Sequence, residues 1–298
     1  MGKFDILDKK FFGDRERFAE LINTELYHGK EILVPDRLKL LKRSYPSLAS
    51  SSGEKVRDVL MQDTGQNICY GLEIETESDY SMPERVMTYD ASEYEYQIRE
   101  IYKAHRDKGE YKKYRDKKSR LKESDFLIPT VTIVLYIGEG HWEGKMKLWE
   151  MFRVSEQVKH QLGRRLWDYD FPLIETEYVQ PEKYCTDLRE FFQAMQCRRD
   201  KKQLKELCQT ERFRKLSRET ERVIAVHLGN DRLFEQVEEG MPMCKALDDW
   251  MKEEREIGRA EERHQTMQKM LQVGLEEDLI MSILNCTKEE LVLAEAGR

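Results

Sequence analysis

Acidic residues stand inside two short apolar runs where β-strands are expected. Asp58 precedes three apolar residues, and Glu73 and Glu75 flank Ile74. Side chains alternate between the two faces of a strand, so Glu73 and Glu75 point to the same side. The turn-like run at residues 63–67 predicts a hairpin, which would bring Asp58 near that pair. Converging carboxylates repel one another unless a positive group lies among them, and a divalent metal ion is the usual positive group.

Helical and strand patterns alternate around this hairpin. We predict a helix over residues 8–28, hairpin strands over residues 55–62 and 67–76, a helix over 81–103 and a buried strand over 129–138. A helix between two strands of one sheet makes a crossover connection, which favours parallel pairing. Strand patterns fade from Leu173 onward. The sequence therefore predicts an α/β fold with a small mixed sheet flanked by helices, followed by a helical C-terminal region.

Composition excludes several classes of protein. Charged residues make up 37% of the 298-residue chain, and its formal net charge is −7. No apolar run approaches the roughly 18–20 residues that span a membrane, and the N-terminus shows no secretion signal, so we expect a cytoplasmic protein that does not enter membranes. The six cysteines include no Cys-x-x-Cys pair, which argues against a zinc module and a disulfide framework.

One basic segment stands out in this acidic chain. Between Lys103 and Lys122 there are ten Lys and Arg residues and three acidic residues, a net charge of +7. Tyrosines are interleaved with the basic residues. The segment is read either as a contact for the DNA phosphate backbone or as a solvated helix end. The residues predicted to contact DNA are Lys112, Lys113, Arg115, Lys117 and Lys118, together with Arg85.

Several short motifs resemble one family of DNA-cleaving proteins. They are Arg17–Asn23 with Gly29 and Lys30, Asp58–Leu60, Gly71–Glu77, Asp79–Pro83 with Arg85, Tyr89–Ala91, Gln97, Leu127–Thr132, Leu148–Met151 and Met243–Leu247. Together they resemble the PD-(D/E)xK family transposases, a group that includes the recombination-promoting nucleases and the YhgA-like transposases. Each motif is modest, but their number and order make the resemblance fairly specific over most of the chain.

The resemblance implies a restriction-endonuclease-like core and metal-dependent hydrolysis of phosphodiester bonds in DNA. By position, Asp58 and Glu73 would bind Mg²⁺ or Mn²⁺ together with the backbone carbonyl of Ile74. The metal would polarise the scissile phosphate and lower the pKa of a bound water. Arg85 and the basic segment would hold the DNA backbone.

Glu75 departs from the pattern of these relatives. The wider superfamily has Lys at this position, and the nearer relatives usually have Gln. Either residue can donate a hydrogen bond to the attacking water or to a phosphate oxygen, whereas an ionised Glu only accepts one. Glu75 would act as a general base or as a further metal ligand in an active endonuclease. Alternatively, Glu75 marks a weakened or inactive relative that binds DNA or protein without cleaving.

We divide the chain into a nuclease-like domain at residues 1–185, a helical extension at 186–250 and a charged helical tail at 251–298. The tail resembles a helix–turn–helix from Gly274 onward, but its exposed positions are acidic, which disfavours contact with phosphates. We expect a protein contact instead. Self-association would then use the apolar residues Met267, Met270, Leu271 and Leu275.

Overall fold

The computed structural model describes residues 3–43, 45–46, 54–55, 57–111, 118–165 and 168–296. The chain divides into two compact units, Met1–Gly229 and Asn230–Arg298. The predicted domain boundary after residue 185 falls inside the first unit, and the boundary after residue 250 falls inside the second. The candidate site residues all belong to the first unit.

The described residues form seven strands. These are β1 Leu38–Leu40, β2 Tyr45–Pro46, β3 Glu54–Lys55, β4 Val59–Asp63, β5 Ile68–Glu75, β6 Thr130–Tyr136 and β7 Leu173–Glu175. Five of them form a mixed sheet in the order β1–β4–β5–β6–β7, and β2 pairs with β3 separately. The pairs β1/β4 and β4/β5 are antiparallel, whereas β5/β6 and β6/β7 are parallel. The predicted α/β class, the hairpin and the parallel crossover are confirmed.

Three helices position the hairpin: α1 Lys3–Phe12, α2 Arg15–Glu25 and α3 Met82–Asp107. The prediction of one helix over residues 8–28 is wrong, because the chain breaks between α1 and α2. A Cβ at Gly13 would overlap the carbonyl oxygen of Lys9, so the break requires glycine. Asp14 then caps α2 by accepting the backbone N–H groups of Glu16 and Arg17, each at 3.1 Å. Helix α3 makes the crossover from β5 to β6.

The remaining chain is mostly helical. The first unit continues with the helices Glu156–Leu162, Leu188–Cys197, Lys201–Leu207, Glu211–Arg214 and Arg218–His227. The second unit contains Asp231–Glu238, Met243–Gln272, Glu277–Leu284 and Lys288–Ala296. Short 3₁₀ turns occur at Pro35–Arg37, Leu148–Met151, Gly163–Arg165 and Pro181–Lys183. The predicted helical character of the C-terminal region is confirmed.

The two faces of the sheet meet different helices. Glu73 and Glu75 point to the face that α3 covers, because Arg85 of α3 contacts both carboxylates. The alternate residues of β5 point to the opposite face. There the hydroxyl of Tyr70 lies 2.6 Å from the hydroxyl of Tyr27, which follows α2. The acidic residues of β5 therefore lie under a helix rather than on an open face of the sheet.

A buried ion pair fixes α3 to the sheet. Arg57, just before β4, is 4% exposed, and Asp90 of α3 is 2% exposed. The Arg57 guanidinium lies 2.5 Å from Asp90 Oδ1, which also accepts a hydrogen bond from Thr132 Oγ1 at 2.6 Å. Tyr169 donates its hydroxyl proton to the other oxygen of Asp90. Gly71 leaves room for this pair, because a Cβ at that position would overlap the Arg57 guanidinium.

The Asp90→Asn substitution tests how much this ion pair contributes to the free energy of unfolding. It keeps the shape of the side chain but leaves the Arg57 charge buried without a counter-ion, so we expect the free energy of unfolding to fall by about 3–5 kcal/mol. Urea denaturation measures the loss. Glu100→Gln, on an exposed position of the same helix, is the matched control and should change stability by less than about 0.5 kcal/mol. Equal stabilities for both variants would contradict the assigned role.

The second unit has an apolar core of its own. Met267, Ile280, Leu291 and Ala294 are buried together, and Met270 and Leu271 pack against them. Most of the apolar set predicted to form an interface between copies of the chain is therefore covered by helices of the same chain. Leu279 and Ile283 remain 48% and 54% exposed. Self-association stays a prediction, and these two residues, together with Leu275 of the predicted set and with Val273 and Val292, contribute exposed apolar surface for it.

Two exclusions drawn from composition can be compared with the structure. None of the six cysteines, all of which lie in the described part of the chain, forms a disulfide bond. Among the helices in the described part of the chain, none is both long and apolar enough to cross a bilayer.

Candidate functional site

Asp58 immediately precedes β4, and its carboxylate contacts the neighbouring strand β5. Its Oδ2 accepts the backbone N–H of Ile74 on β5 at 2.8 Å, and its Oδ1 lies 3.3 Å from Nζ of Lys9 on α1. The ladder between β4 and β5 ends at the pair Val59 and Leu72, so the Asp58 carboxylate takes the place of the next backbone partner. Burial raises the pKa of Asp58, while the Ile74 N–H and Lys9 act in the opposite direction.

Glu73 is the most deeply buried acid of the site. It is 0% exposed. Its Oε2 accepts a hydrogen bond from Arg85 at 3.0 Å, while its Oε1 is buried without a hydrogen-bond partner among the described residues. Burial, followed by the nearby charge of Asp58, raises the pKa of Glu73 to about 8, although Arg85 and Arg57 act in the opposite direction. Burial therefore favours the protonated form of Glu73 when no further cation is present.

Arg85 joins Glu75 to the same site. Its guanidinium lies 2.6 Å from Glu75 Oε1 and 3.3 Å from Asp79 Oδ2, in addition to its contact with Glu73. Burial raises the pKa of Glu75, and Arg85 opposes that rise. Asp79 accepts the Ser81 N–H and hydroxyl, and these bonds together with Arg85 outweigh its burial and lower its pKa. Arg85 thus holds three carboxylates at the N-terminal turn of α3.

The positive groups of this site come from the protein itself. Lys9 faces Asp58, and Arg85 faces Glu73 and Glu75. Within the described part of the chain, no three His, Cys, Asp or Glu side chains are arranged as a metal-binding group. Asp58, Glu73 and Glu75 therefore do not form a cage of three carboxylates. They form two neighbouring groups, of which one is centred on Asp58 and the other on Arg85.

The smaller donor set of Asp58, Glu73 and the Ile74 carbonyl fits a magnesium ion. Mg²⁺ prefers oxygen ligands, and it usually binds one or two carboxylates while keeping several waters. Glu73 Oε1 is buried and has no hydrogen-bond partner among the described residues, so it can accept a cation once the carboxyl group is ionised. The N–H and C=O of one strand residue point to the same side, so the Ile74 carbonyl points to the side of β5 on which Asp58 lies. Glu75 is not needed in this set.

The predicted DNA-contacting residues have different surroundings. Lys112, Lys113, Arg115 and Lys117 lie outside the described residues, and Lys118 is exposed. Two further basic residues of the segment are already paired, Arg120 with Glu95 at 2.9 Å and Lys122 with Glu110 at 2.6 Å. Arg85 lies in the carboxylate site rather than on an open surface.

Two charged residues near these segments were not predicted from the sequence. Lys9 pairs with Asp58 and also with Asp5, which lies 2.7 Å away. From the sequence, only the pair with Asp5 is expected, because the two residues are four positions apart on one helix. His105 lies between Glu110 and Asp125, with ring nitrogen to oxygen distances of 2.6 and 2.8 Å. These hydrogen bonds, from Asp125 first, raise the pKa of His105. Each of these residues has a partner that is distant in the sequence, so the spacing of residues along the chain does not predict the pair.

Comparisons of the chain with models of protein families, with curated proteins and with solved structures found no match. No relative therefore assigns a role to a residue of this site. The roles of Asp58, Glu73, Glu75 and Arg85 depend on their contacts and on the motifs in which they occur.

The buried Glu73 predicts a pH dependence of stability. Between its ordinary pKa of 4.5 and the folded value of about 8, the unfolded chain releases a proton that the folded chain keeps. The free energy of unfolding should therefore fall as pH rises through this window, by on the order of a few kcal/mol. Glu73→Gln removes this contribution, and Asp58 and Glu75 remain in both proteins.

Urea denaturation of both proteins in EDTA, at pH 5 and at pH 8, measures the effect. We expect the wild-type chain to lose more stability than Glu73→Gln between the two pH values. The control Glu100→Gln should follow the wild-type profile, because Glu100 is exposed. Parallel profiles for the wild-type chain and Glu73→Gln would contradict the assignment of a shifted pKa to Glu73.

Proposed function

We propose that this protein is a metal-dependent DNA endonuclease of the recombination-promoting nuclease and transposase type, with a restriction-endonuclease-like core. One observation carries the proposal. The Asp58 carboxylate bonds the Ile74 N–H at 2.8 Å, which sets the acid before β4 beside the Glu-x-Glu run of β5. The antiparallel hairpin, the helical crossover and the parallel third strand agree with the fold that the resemblance implies.

The proposed metal ligands are Asp58, Glu73 and the Ile74 carbonyl. Bound there, Mg²⁺ or Mn²⁺ would supply Lewis acidity toward the scissile phosphate and an activated water. Asp58 is held in place by its bond to the β5 backbone, so its orientation does not depend on the metal. Glu73 has one oxygen bonded to Arg85 and one oxygen free for a ligand. Its deprotonation accompanies binding, because the ligand must be the carboxylate.

Arg85 supplies the positive donor that the strand itself lacks. A guanidinium has five donor N–H groups, so Arg85 can keep its contact with Glu75 while it donates to a phosphate oxygen. Glu75 then serves to position Arg85, which lies 2.6 Å away. This arrangement would give the Glu-x-Glu run a hydrogen-bond donor where the family that the motifs resemble has Lys or Gln. DNA is the proposed partner, with the exposed Lys118 at its backbone.

A second function has an observation of its own. Lys9 and Arg85 already neutralise part of the acidic charge, so the folded chain can hold these carboxylates without a metal ion. The same structure would then serve an inactive relative that binds DNA or protein. The endonuclease would hydrolyse DNA, whereas the inactive relative would bind without hydrolysis.

Incubation of the purified full chain with supercoiled plasmid and Mg²⁺ or Mn²⁺ tests hydrolysis. We expect nicking that Asp58→Asn and Glu73→Gln reduce to the level of the metal-free reaction, because each substitution removes an ionised ligand. Glu100→Gln, an exposed acid outside the site, should nick like the wild-type chain. Equal nicking by Asp58→Asn and the wild-type chain, or no nicking with either metal, would contradict the endonuclease proposal.

Substitutions of Glu75 and Arg85 separate the two roles proposed for this pair. Glu75→Gln can still accept a hydrogen bond from Arg85, so we expect its nicking rate to stay within about tenfold of wild type. Arg85→Met removes the donor groups and should slow nicking by roughly 100-fold to 1000-fold. Circular dichroism verifies that both variants fold. If Glu75→Gln were as inactive as Asp58→Asn, Glu75 would itself act as base or ligand.

A further inference from the structure

Two aromatic rings are stacked on the surface of the first unit. The rings of His141 and Tyr178 have centroids 4.2 Å apart and planes inclined by 5°. The His141 side chain is 73% exposed, and Tyr178 is 51% exposed. Because each ring covers one face of the other, the remaining faces contribute to this exposed area. A flat aromatic surface of this kind can receive a third ring.

The stack lies at the same edge of the sheet as the carboxylate site. His141 follows β6 and Tyr178 follows β7, and both strands run parallel to β5. The carboxyl ends of parallel strands meet at one edge of a sheet, where ligands of α/β proteins commonly bind. Glu75 is the last residue of β5. The two stacked rings therefore follow the neighbouring strands at the edge to which Glu75 belongs.

Hydrogen bonds connect the segment around His141 to the loop before α3, which contains the Arg85 partner Asp79. Glu175 Oε1 accepts the Trp142 N–H at 2.7 Å and lies 3.5 Å from Nδ1 of His141. The Glu143 N–H donates to Ser78 Oγ at 2.9 Å. Ser78 precedes Asp79, which contacts Arg85. A molecule lying across this edge would meet the rings and the carboxylate site together.

The charges around the rings favour a neutral aromatic ligand. Glu139 pairs with Arg199 and lies 3.7 Å from Arg198, and Glu177 pairs with Arg198 at 3.0 Å. These four side chains together have no net charge, and Glu175, which lies beside His141, adds one negative charge. Phosphate groups therefore gain no attraction here, and two of the three acids are already paired with arginines, which leaves little for a basic peptide. A nucleobase needs neither, because base stacking on an aromatic ring is largely independent of charge and sequence.

We propose that His141 and Tyr178 form a stacking platform for an unpaired nucleobase of the DNA substrate. This inference rests on the proposed function and narrows its substrate class to DNA with unpaired bases near the cleavage site, such as single strands and overhangs. In duplex DNA the bases stack on one another, so the rings cannot receive a base unless it leaves the helix.

Binding of two single-stranded oligomers to the full chain in EDTA tests the platform. One is a 20-residue thymidine oligomer, and the other has the same phosphates but abasic sugars. Stacking of one base contributes about 5-fold to 150-fold in affinity, so the wild-type chain should prefer the thymidine oligomer by that factor. His141→Ala with Tyr178→Ala should bind both oligomers equally. Tyr178→Phe, which keeps the ring, should retain the preference.

Phe126→Ala is the matched control for loss of an exposed aromatic ring. Phe126 is 84% exposed and precedes β6, so it follows none of the strands at the proposed edge. This variant should keep the wild-type preference. Equal binding of the two oligomers by the wild-type chain, or a preference that survives in the double variant, would overturn the platform. So would a platform-dependent affinity for an arginine-rich peptide without any preference for thymidine.

The platform and the endonuclease can fail separately. Metal-dependent nicking without a thymidine preference would overturn the platform and leave the endonuclease proposal intact. A thymidine preference that depends on the two rings, without nicking, would support the platform in a protein that binds DNA but does not cleave it.

Discussion

Burial of the Glu73 carboxyl group under α3 is the constraint on which the site depends. A carboxylate taken out of water must be protonated or must meet a cation. For Glu73, burial raises the pKa to about 8, which favours the protonated form, and one of its oxygens accepts a hydrogen bond from the Arg85 cation. Asp58 and Glu75 add further acidic groups around it. The elements that surround β5 therefore have to supply positive charge, and Lys9 of α1 and Arg85 of α3 supply it.

The same constraint explains how the scaffold is built. Helix α3 must stay close enough to β5 for Arg85 to reach Glu73, and the buried pair of Arg57 and Asp90 holds it there. Gly71, two residues before Glu73, lets Arg57 pass over the sheet. The buried pair that stabilises the fold therefore also keeps Arg85 in contact with Glu73. A cation bound beside the free oxygen of Glu73 would relieve the cost of ionising it.

Alternation and turn residues allow much of the site to be predicted. The hairpin, the shared face of Glu73 and Glu75 and the parallel crossover follow from local patterns, and the structure agrees with each. The break between α1 and α2 depends on one close approach at Gly13, which a helical pattern does not show. Strand β7 has only three residues, too few for alternation to be seen. The charged partners of Asp58 and Glu75, which are Lys9 and Arg85, lie on helices, so only the fold reveals them.

We propose that Asp58, Glu73 and the Ile74 carbonyl together bind a divalent metal ion. Crystals of the protein soaked in Mn²⁺, with anomalous scattering recorded at the manganese absorption edge, test it directly. We expect an anomalous peak in contact with both carboxylates and the carbonyl, while Arg85 keeps its contact with Glu75. A map without a peak at this position, with Lys9 on Asp58 and Arg85 on Glu73 unchanged, would contradict it.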